Sequence, residues 1–413
     1  MASRNKTSYL PRTIEPVINE VSKRFKVVFL TGLRQAGKST CLLHLATGNH
    51  KRDYLNLDDA VLMDEAKNAT GQFFLHHPTP LLLDAIQRTP GLFQQIKAVV
   101  DDDSTMGQIW ATGSQKFSLM KGVHESLAGR LIPLELLPFS IYERAGRGLD
   151  QRPYIPSATP PSILDVKTPE ETWKTIWQGA WPGVVNLSPR QRKFFFDDLV
   201  GTYLERDVHL AAGVEKLQEF RRFLRILASR TGEELRISTL SQEVDVSSQT
   251  IKNWLAIAEA SGIIYLLRPY YANIKKQLVK SPKVYFTDTG LAAYLCGLDD
   301  PESLRNYKDA GAFFETFVVT EILKSWVHNG EHPDFFFFRD SKQGTKIDLL
   351  IRHQGKLHPI EIKLSANPDV KAIKNFSVLD DLPEAIGHGA VVCLSPKIVG
   401  LNEHTTVHSI WNI

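Results

Sequence analysis

TGLRQAGKST, residues Thr31 to Thr40, decides how this chain is read. The stretch satisfies GxxxxGKS in full, follows the apolar run KVVFLTG and precedes the helical pattern CLLHLA. Strand, glycine-containing loop and helix in that order make a phosphate-binding loop. Glycines let the backbone wrap a polyphosphate, and amides at the helix N-terminus bind its oxygens. The candidate binding residues are Gly32, Arg34, Gln35, Ala36, Gly37, Lys38, Ser39 and Thr40, with ATP as the expected ligand. Lys38 would reach the β and γ phosphates, and Ser39 would ligate Mg2+. The alternative is a chance match in a turn, which would not need both flanking elements.

A nucleotide-binding sheet of this type needs an acidic residue at the end of a second apolar strand, and PLLLDAIQRTPGLF supplies Asp84 as the second magnesium-side group. The next residue is Ala85, where many such ATPases carry the glutamate that orients and deprotonates the attacking water. Alanine can do neither, so binding is expected to survive and turnover to suffer by about 10² to 10⁴. QIWATGSQKF ends in Ser114, either a γ-phosphate sensor at the sheet edge or a plain helix cap. Arg130, in HESLAGRLIPLE, is a candidate arginine finger acting across a subunit interface, or simply a surface arginine beside a turn.

The apolar runs KVVFLTG, YLNLDD, PLLLDA, QIWATGS and LIPLELLPF alternate with longer helical patterns, as expected of an α/β unit whose parallel strands are covered on both faces. At 413 residues the chain should form several such units. A composition break from Arg147 to Pro169 holds five prolines and reads as a linker or insertion. The expected divisions are 1–146 for the nucleotide-binding unit, 147–170 for the Pro-rich linker, 171–235 for a helical connector, 236–300 for a winged helix and 301–413 for a second α/β unit. No run of 18 apolar residues exists to span a bilayer, and the N-terminus lacks the apolar core of a secretory signal, so the expected location is the cytoplasm. Cys41, Cys296 and Cys393 are too far apart to suggest a disulfide framework or a zinc site. The net charge of +3 is too small to identify a nucleic-acid partner, so that question rests on where the charge sits.

RISTLSQEVDVSSQTIKNWLAIAEASG fits two helices joined at Asp245 to Ser247, with Ser238 and Ser247 as N-caps and Gly262 as a stop. IIYLLRPYYANIKKQLVKSPKVYF then reads as a wing hairpin. Between Ala260 and Thr287 there is no acidic residue, while Arg268, Lys275, Lys276, Lys280 and Lys283 alternate with Tyr265, Tyr270 and Tyr271. Phosphate neutralisation by such cations supplies most nonspecific DNA affinity. Gln249, Lys252 and Asn253 of the second helix could enter a groove. The rival reading is a winged helix used only for packing, with Trp254 and Leu255 in its core.

A second constellation lies near the C-terminus. Glu315 falls on a helix, Asp348 opens the strand IDLLIR, and Glu361 and Lys363 lie two apart in PIEIKLS and so share a face. Asp348 and Glu361 could hold a metal ion, with Lys363 near the attacked phosphate. The spacing D-x12-E-x-K after a helix glutamate resembles the PD-(D/E)xK, restriction-endonuclease-like superfamily, whose fold is also retained for binding without cleavage. Solvated Glu and Lys on an amphipathic strand are the alternative.

Taken together, TGLRQAGKST, YLNLDD, PLLLDAIQRTPGLF, ATGSQKF, SLAGRLIPLELLPFSIYE, TYLERDV, SPKVYFTDTGLAAYL, GAFFETFVV, GTKIDLLI and PIEIKLS resemble the bacterial and archaeal AAA-type P-loop ATPases with a C-terminal domain of unknown function. The resemblance spans nearly the whole chain. It implies an α/β fold: a P-loop AAA-type ATPase domain, a helical connector with a winged helix, and a C-terminal restriction-endonuclease-like α/β domain. It implies ATP and Mg2+ at Lys38, Ser39 and Asp84, sensing at Ser114 and a trans-acting Arg130. A homo-oligomeric ring, a hexamer in many AAA proteins, also follows from the resemblance. The family pattern LDEIQ reads LDAIQ here, which makes Ala85 either a replacement of the catalytic glutamate or the mark of a natural pseudo-ATPase. Three functions fit: an ATP-driven motor or remodeller of duplex or branched DNA, an ATP-gated metal-dependent nuclease, and a nucleotide-dependent switch that binds protein partners.

Overall fold

The computed structural model describes residues 9–47, 51–113, 127–161, 163–210, 213–271, 281–340 and 344–413. Strands β1 (Val27–Thr31), β2 (Asp53–Asn56), β3 (Leu81–Asp84), β4 (Ile109–Gly113) and β5 (Leu131–Glu135) form a sheet in the order β2-β3-β4-β1-β5, every pairing parallel. The crossover order puts the end of β1 between those of β4 and β5, at the rim where ligands bind open α/β sheets. β1 is buried throughout and divides its side chains between two cores. Val27 and Phe29 pack with Phe93 and Ile96 on one face, while Val28 and Leu30 pack with Ile18 and Leu42 on the other. That two-sided burial is why the strand is apolar without alternation.

Among its described residues the Pro-rich segment after this unit forms neither strand nor long helix between Gln151 and Thr168, yet it is not loose. Tyr154 and Leu164 are buried, and the Tyr154 ring meets His408 edge-on. The helices Pro169–Gln178 and Pro189–Thr202 begin with capping boxes, Thr168 with Glu171 and Ser188 with Gln191, each with proline in the first turn. A π-helical stretch, Tyr203–Leu210, and the helix Leu217–Ser229 follow.

The helix pair expected next is present as Ile237–Val244 and Ser248–Ala260. Ser247 caps the second helix through the Thr250 amide, whereas Ser238 lies inside the first helix, which starts one residue before it without a side-chain cap. Asp245 takes the left-handed conformation that ends the first helix. β6 (Ile264–Pro269) and β7 (Lys283–Phe286) pair antiparallel. The hairpin tip, with Lys275, Lys276 and Lys280, lies outside the described residues.

β6 also pairs in parallel with β8 (Phe335–Asp340), through Arg268 and Pro269. The hairpin thereby joins a larger sheet with β9 (Thr345–His353), β10 (Lys356–Lys363), β12 (Gly389–Cys393), β13 (Val399–Asn402) and β14 (Thr405–Ser409), while β11 (Ala385–Ile386) pairs with β10. The buried helix Ala310–Val327 packs beneath it. One apolar core runs from Leu33 and Trp181 through Trp254 and Phe286 to Ile360 and Val392. Among the described residues no helix is long and apolar enough to cross a membrane.

Candidate nucleotide site and its neighbours

The loop after β1 needs two of its glycines for steric reasons. Gly32 has φ 138°, and a Cβ there would lie 2.1 Å from the Leu136 carbonyl oxygen, so the loop presses against the end of β5 as only glycine allows. Gly37 has φ 94° and precedes the helix Lys38–Ala46, with Arg12 behind it. Gln35 is also left-handed, at φ 58°. The sequence of turns leaves the amides before Lys38 at a helix N-terminus, where anions bind.

Lys38 is buried, and its ammonium donates to the carbonyls of Gly32, 3.0 Å, and Leu33, 2.7 Å. Those bonds hold the cation over the loop, on the side a phosphate would meet. The Ser39 hydroxyl donates to Asp84 Oδ1 at 2.8 Å, which brings together the two oxygens expected beside Mg2+. A helix hydroxyl against a strand-end carboxylate is the donor set of a magnesium-assisted P-loop site, so the residues fit that ion. Bound Mg2+ would neutralise phosphate charge; Ser39 and Asp84 would hold it.

Two groups around Asp84 were not singled out in the sequence. Thr112, at the end of β4, donates its hydroxyl to Asp84 Oδ1 and accepts from the Ala85 amide at 3.3 Å. Tyr54, on β2, donates to Asp84 Oδ2 at 3.0 Å. Burial and the neighbouring Asp84 push the Tyr54 phenol up to about 12, so it stays a donor. The expected sensor, Ser114, lies outside the described residues; Thr112 is two positions earlier, in the same ATGS stretch. Ala85 is buried and left-handed, at φ 61° and ψ 38°, and its methyl carries nothing that could activate water. Arg130 is gripped by Asp101 through Nε and, at 3.0 Å, through Nη2, and it donates to the Ala128 carbonyl. To act on a neighbour's nucleotide it would first have to leave Asp101.

The loop is braced from behind by residues far along the chain. Fully buried Arg12 donates to the carbonyls of Ala36, 2.8 Å, and Leu137, 2.7 Å, and pairs with Glu143 at 3.0 Å. His328 accepts from the Leu137 amide at 3.1 Å through Nε2, which leaves its Nδ1 proton facing Glu143 at 3.2 Å. Burial alone would raise the Glu143 carboxyl, yet Arg12 and His328 together hold it well below the usual range. Trp181 donates to the Arg34 carbonyl at 2.8 Å. Ile141 donates to Glu321, and Lys324 bonds Glu321 and the Phe139 carbonyl. The loop is thus wired to the helical segment and to the C-terminal helix. A lone arginine near the N-terminus gives no pattern from which this could be read.

The other predicted residues divide between two places. Gln249, Lys252 and Asn253 share the exposed face of their helix, with Gln249 donating to Asn253 at 3.0 Å, while Trp254 and Leu255 face the core. Around the hairpin base the basic and aromatic residues are partly engaged: Lys283 pairs with Glu315 at 2.8 Å, and Tyr270 is buried and donates to Glu384 at 2.6 Å. Glu315 also accepts from Tyr285 at 2.7 Å, so its carboxylate is turned toward the hairpin.

Asp348, Glu361 and Lys363 do come together across β9 and β10. Asp348 and Glu361 are each 2% exposed; Asp348 accepts from the Ile362 amide at 3.0 Å and from Lys346 at 3.4 Å, and Lys363 donates to Glu361 at 2.5 Å. Glu361 Oε2 is buried without a hydrogen-bond partner. Burial, then repulsion from Asp348, pushes the Glu361 carboxyl up to about 7. An orphaned carboxylate oxygen beside a second carboxylate fits a cation. Among the described residues, however, no group of three His, Cys, Asp or Glu side chains is placed to hold one.

Family models match three segments: residues 24–145 match an AAA domain, 169–302 a domain of unknown function (DUF8612) and 310–413 another (DUF4143). The uncharacterized protein Rv2008c of Mycobacterium tuberculosis is 27% identical over 358 residues, 86% of this chain and 74% of that protein. The uncharacterized protein MJ1544 of Methanocaldococcus jannaschii is 22% identical over 392 residues, 89% of this chain and 83% of its own. The Walker-type ATPase PABY2304 of Pyrococcus abyssi aligns at 14% identity with a TM-score of 0.40, covering 71% of this chain and 97% of that one. A signal-transduction ATPase with a tetratricopeptide repeat sensor, PH0952 of Pyrococcus horikoshii, aligns at 10% identity and a TM-score of 0.27, covering 78% and 48%. At TM-scores this low, the two solved structures add nothing to the fold described above. With the loop geometry and the AAA match in the same residues, the first unit is a P-loop ATPase domain that binds nucleotide.

Proposed function

We propose that this chain is an AAA-type ATPase that couples ATP binding at Lys38, Ser39 and Asp84 to work on DNA, as a motor or remodeller in a homo-oligomeric ring. The observation that carries the coupling is the Trp181 bond to the Arg34 carbonyl: the loop that would close on a triphosphate is tied directly to the segment leading to the helix pair and hairpin. DNA as the substrate draws on the exposed Gln249, Lys252 and Asn253 and on the basic hairpin between Ala260 and Thr287, read as a winged helix. Hydrolysis is impaired in this chain because Ala85 stands where a water-activating carboxylate would act, with Asp84 and Thr112 still in position. ATPase rates of Ala85→Glu with and without duplex, forked and four-way DNA test the proposal. Stimulation supports a DNA motor. Restored turnover indifferent to every DNA points instead to a nucleotide switch for protein partners.

A second reading is favoured by one observation, the buried, unpartnered Glu361 Oε2 beside Asp348. In that reading the C-terminal unit is a restriction-endonuclease-like domain that binds Mg2+ or Mn2+ through Asp348 and Glu361 and cleaves DNA under control of the ATPase. Cleavage with either metal, lost in Asp348→Ala, supports it; intact DNA after long incubation removes it.

A further inference from the structure

A second group of basic side chains lies away from the hairpin, on the helical segment. It lies where the first turn of helix Pro189–Thr202 meets helix Leu217–Ser229 and the turn after helix Thr289–Leu295. A cavity of 520 Å³ opens there, and a second of 430 Å³ adjoins it; both are lined by Arg221, Arg225 and Leu295. Lys193 lines the first and Arg222 the second. Arg221, Arg222 and Lys193 are exposed and make no ion pair with another described residue. Arg225 spends only its Nε, in a long bond to the Leu295 carbonyl, 3.4 Å. Acids stand nearby as well: Asp299 lines the first cavity, Asp197 accepts from the Tyr294 hydroxyl, and Asp309, beside Cys296 and Tyr307 of the second cavity, pairs with Lys308 at 3.6 Å.

The arrangement suits a polymer of phosphates better than a single anion. Arg221 and Arg225 are four residues apart, on one face and about 6 Å apart along the helix axis, so the cations form a row through two connected hollows rather than converging on a point. Guanidinium forks match phosphate oxygens. Phe194, 58% exposed, follows Lys193 on the same helix, and the guanidinium of Arg190, a lining residue of the first cavity, lies 5.6 Å over its ring. An exposed aromatic beside a basic groove is what unstacked bases use.

We propose that this face of the helical segment binds the phosphodiester backbone of nucleic acid, as a contact separate from the hairpin. The inference rests on the reading of DNA as substrate and adds where the strand runs. Binding of labelled single-stranded and duplex DNA by the full chain is measured by fluorescence anisotropy across a salt series. The comparison is with Arg221→Glu/Arg222→Glu, with the milder Arg221→Gln/Arg222→Gln, and with Lys67→Glu/Lys97→Glu as a charge-matched control on the ATPase domain. The Arg pairs should weaken binding by about tenfold or more and lower the salt dependence by about two phosphate contacts, while the control does not. ATP binding and thermal midpoint should hold, since both arginines are exposed. If the wild-type chain binds DNA and the Arg pairs bind it with unchanged affinity and slope, the inference is overturned and the DNA reading stands. If the wild-type chain binds no DNA, the DNA reading falls and takes the inference with it. Loss of polyglutamate binding in the Arg pairs with DNA binding intact overturns it in favour of an acidic protein partner.

Discussion

Ala85→Glu should turn a nucleotide-holding protein into a turning-over one. The backbone will accept the change: Ala85 already bears the cost of a left-handed conformation, about 1 to 2 kcal/mol, and glutamate pays no more. The difficulty is electrostatic, because the new carboxylate joins Asp84, whose Oδ1 and Oδ2 are held by Ser39, Thr112 and Tyr54. At roughly 6 Å and an effective dielectric of 20 the repulsion is about 3 kcal/mol before salt screening. The variant should therefore melt below the parent in EDTA and regain most of the difference with Mg2+ and nucleotide. In return, a positioned base should raise phosphate release at saturating ATP by about 10² to 10⁴, or roughly 3 to 5 kcal/mol of barrier. Steady-state phosphate release and thermal melts on the two proteins, side by side, settle the matter. If the parent hydrolyses ATP within about threefold of the variant, another residue supplies the base and the reasoning about Ala85 is wrong.

Thr112→Val should strip a donor from Asp84 and leave the Ala85 amide buried without a partner, costing about 1 to 3 kcal/mol in urea melts, with Thr112→Ser restoring most of it. Glu361 titrates higher in the folded chain than its ordinary 4.5, so the stability it contributes is complete below pH 4.5 and is lost as pH rises through about 7; Glu361→Gln should flatten that slope and be the more stable protein at pH 8. His408 behaves with the opposite sign. Its Nε2 donates to the Ser157 carbonyl at 2.9 Å and its Nδ1 accepts from Tyr154 at 2.6 Å, and burial pulls its pKa down to about 4. Stability should therefore fall as pH drops from 6.5 toward 4, and limited proteolysis should first cut the strap between Gln151 and Thr168; a melt insensitive to pH over that window would contradict the assignment.

Much of the nucleotide site could be read from the chain because its parts are consecutive. A continuous apolar run means a strand covered twice, a glycine loop follows it, and Ser39 and Asp84 meet for reasons of sheet order alone. Thr112 carries no such signal, because a threonine inside an apolar run has the pattern of packing and the polar residues just beyond the strand have the pattern of a sensor. The late strands β13 and β14 were missed for want of contrast: Val399–Asn402 is largely exposed and Thr405–Ser409 is polar in composition though buried. Arg12 and His328 are 316 positions apart in sequence, and only the fold places both against Glu143. The basic row at Arg221 and Arg225 was visible only as the polar side of an amphipathic helix. Its meaning depends on what faces it.

One strand fixes how this protein can be taken apart. β6 is shared between the hairpin and the C-terminal sheet through Arg268 and Pro269. A chain ended at residue 300 would keep β6 but lose β8, freeing the short edge at Arg268 to Tyr270, with the Tyr270 amide that now donates to Phe337, to meet another strand. Such a fragment should self-associate through that edge. Any force delivered to the hairpin is accordingly felt by the C-terminal sheet as well, which makes the two a single lever arm rather than two tools on a string.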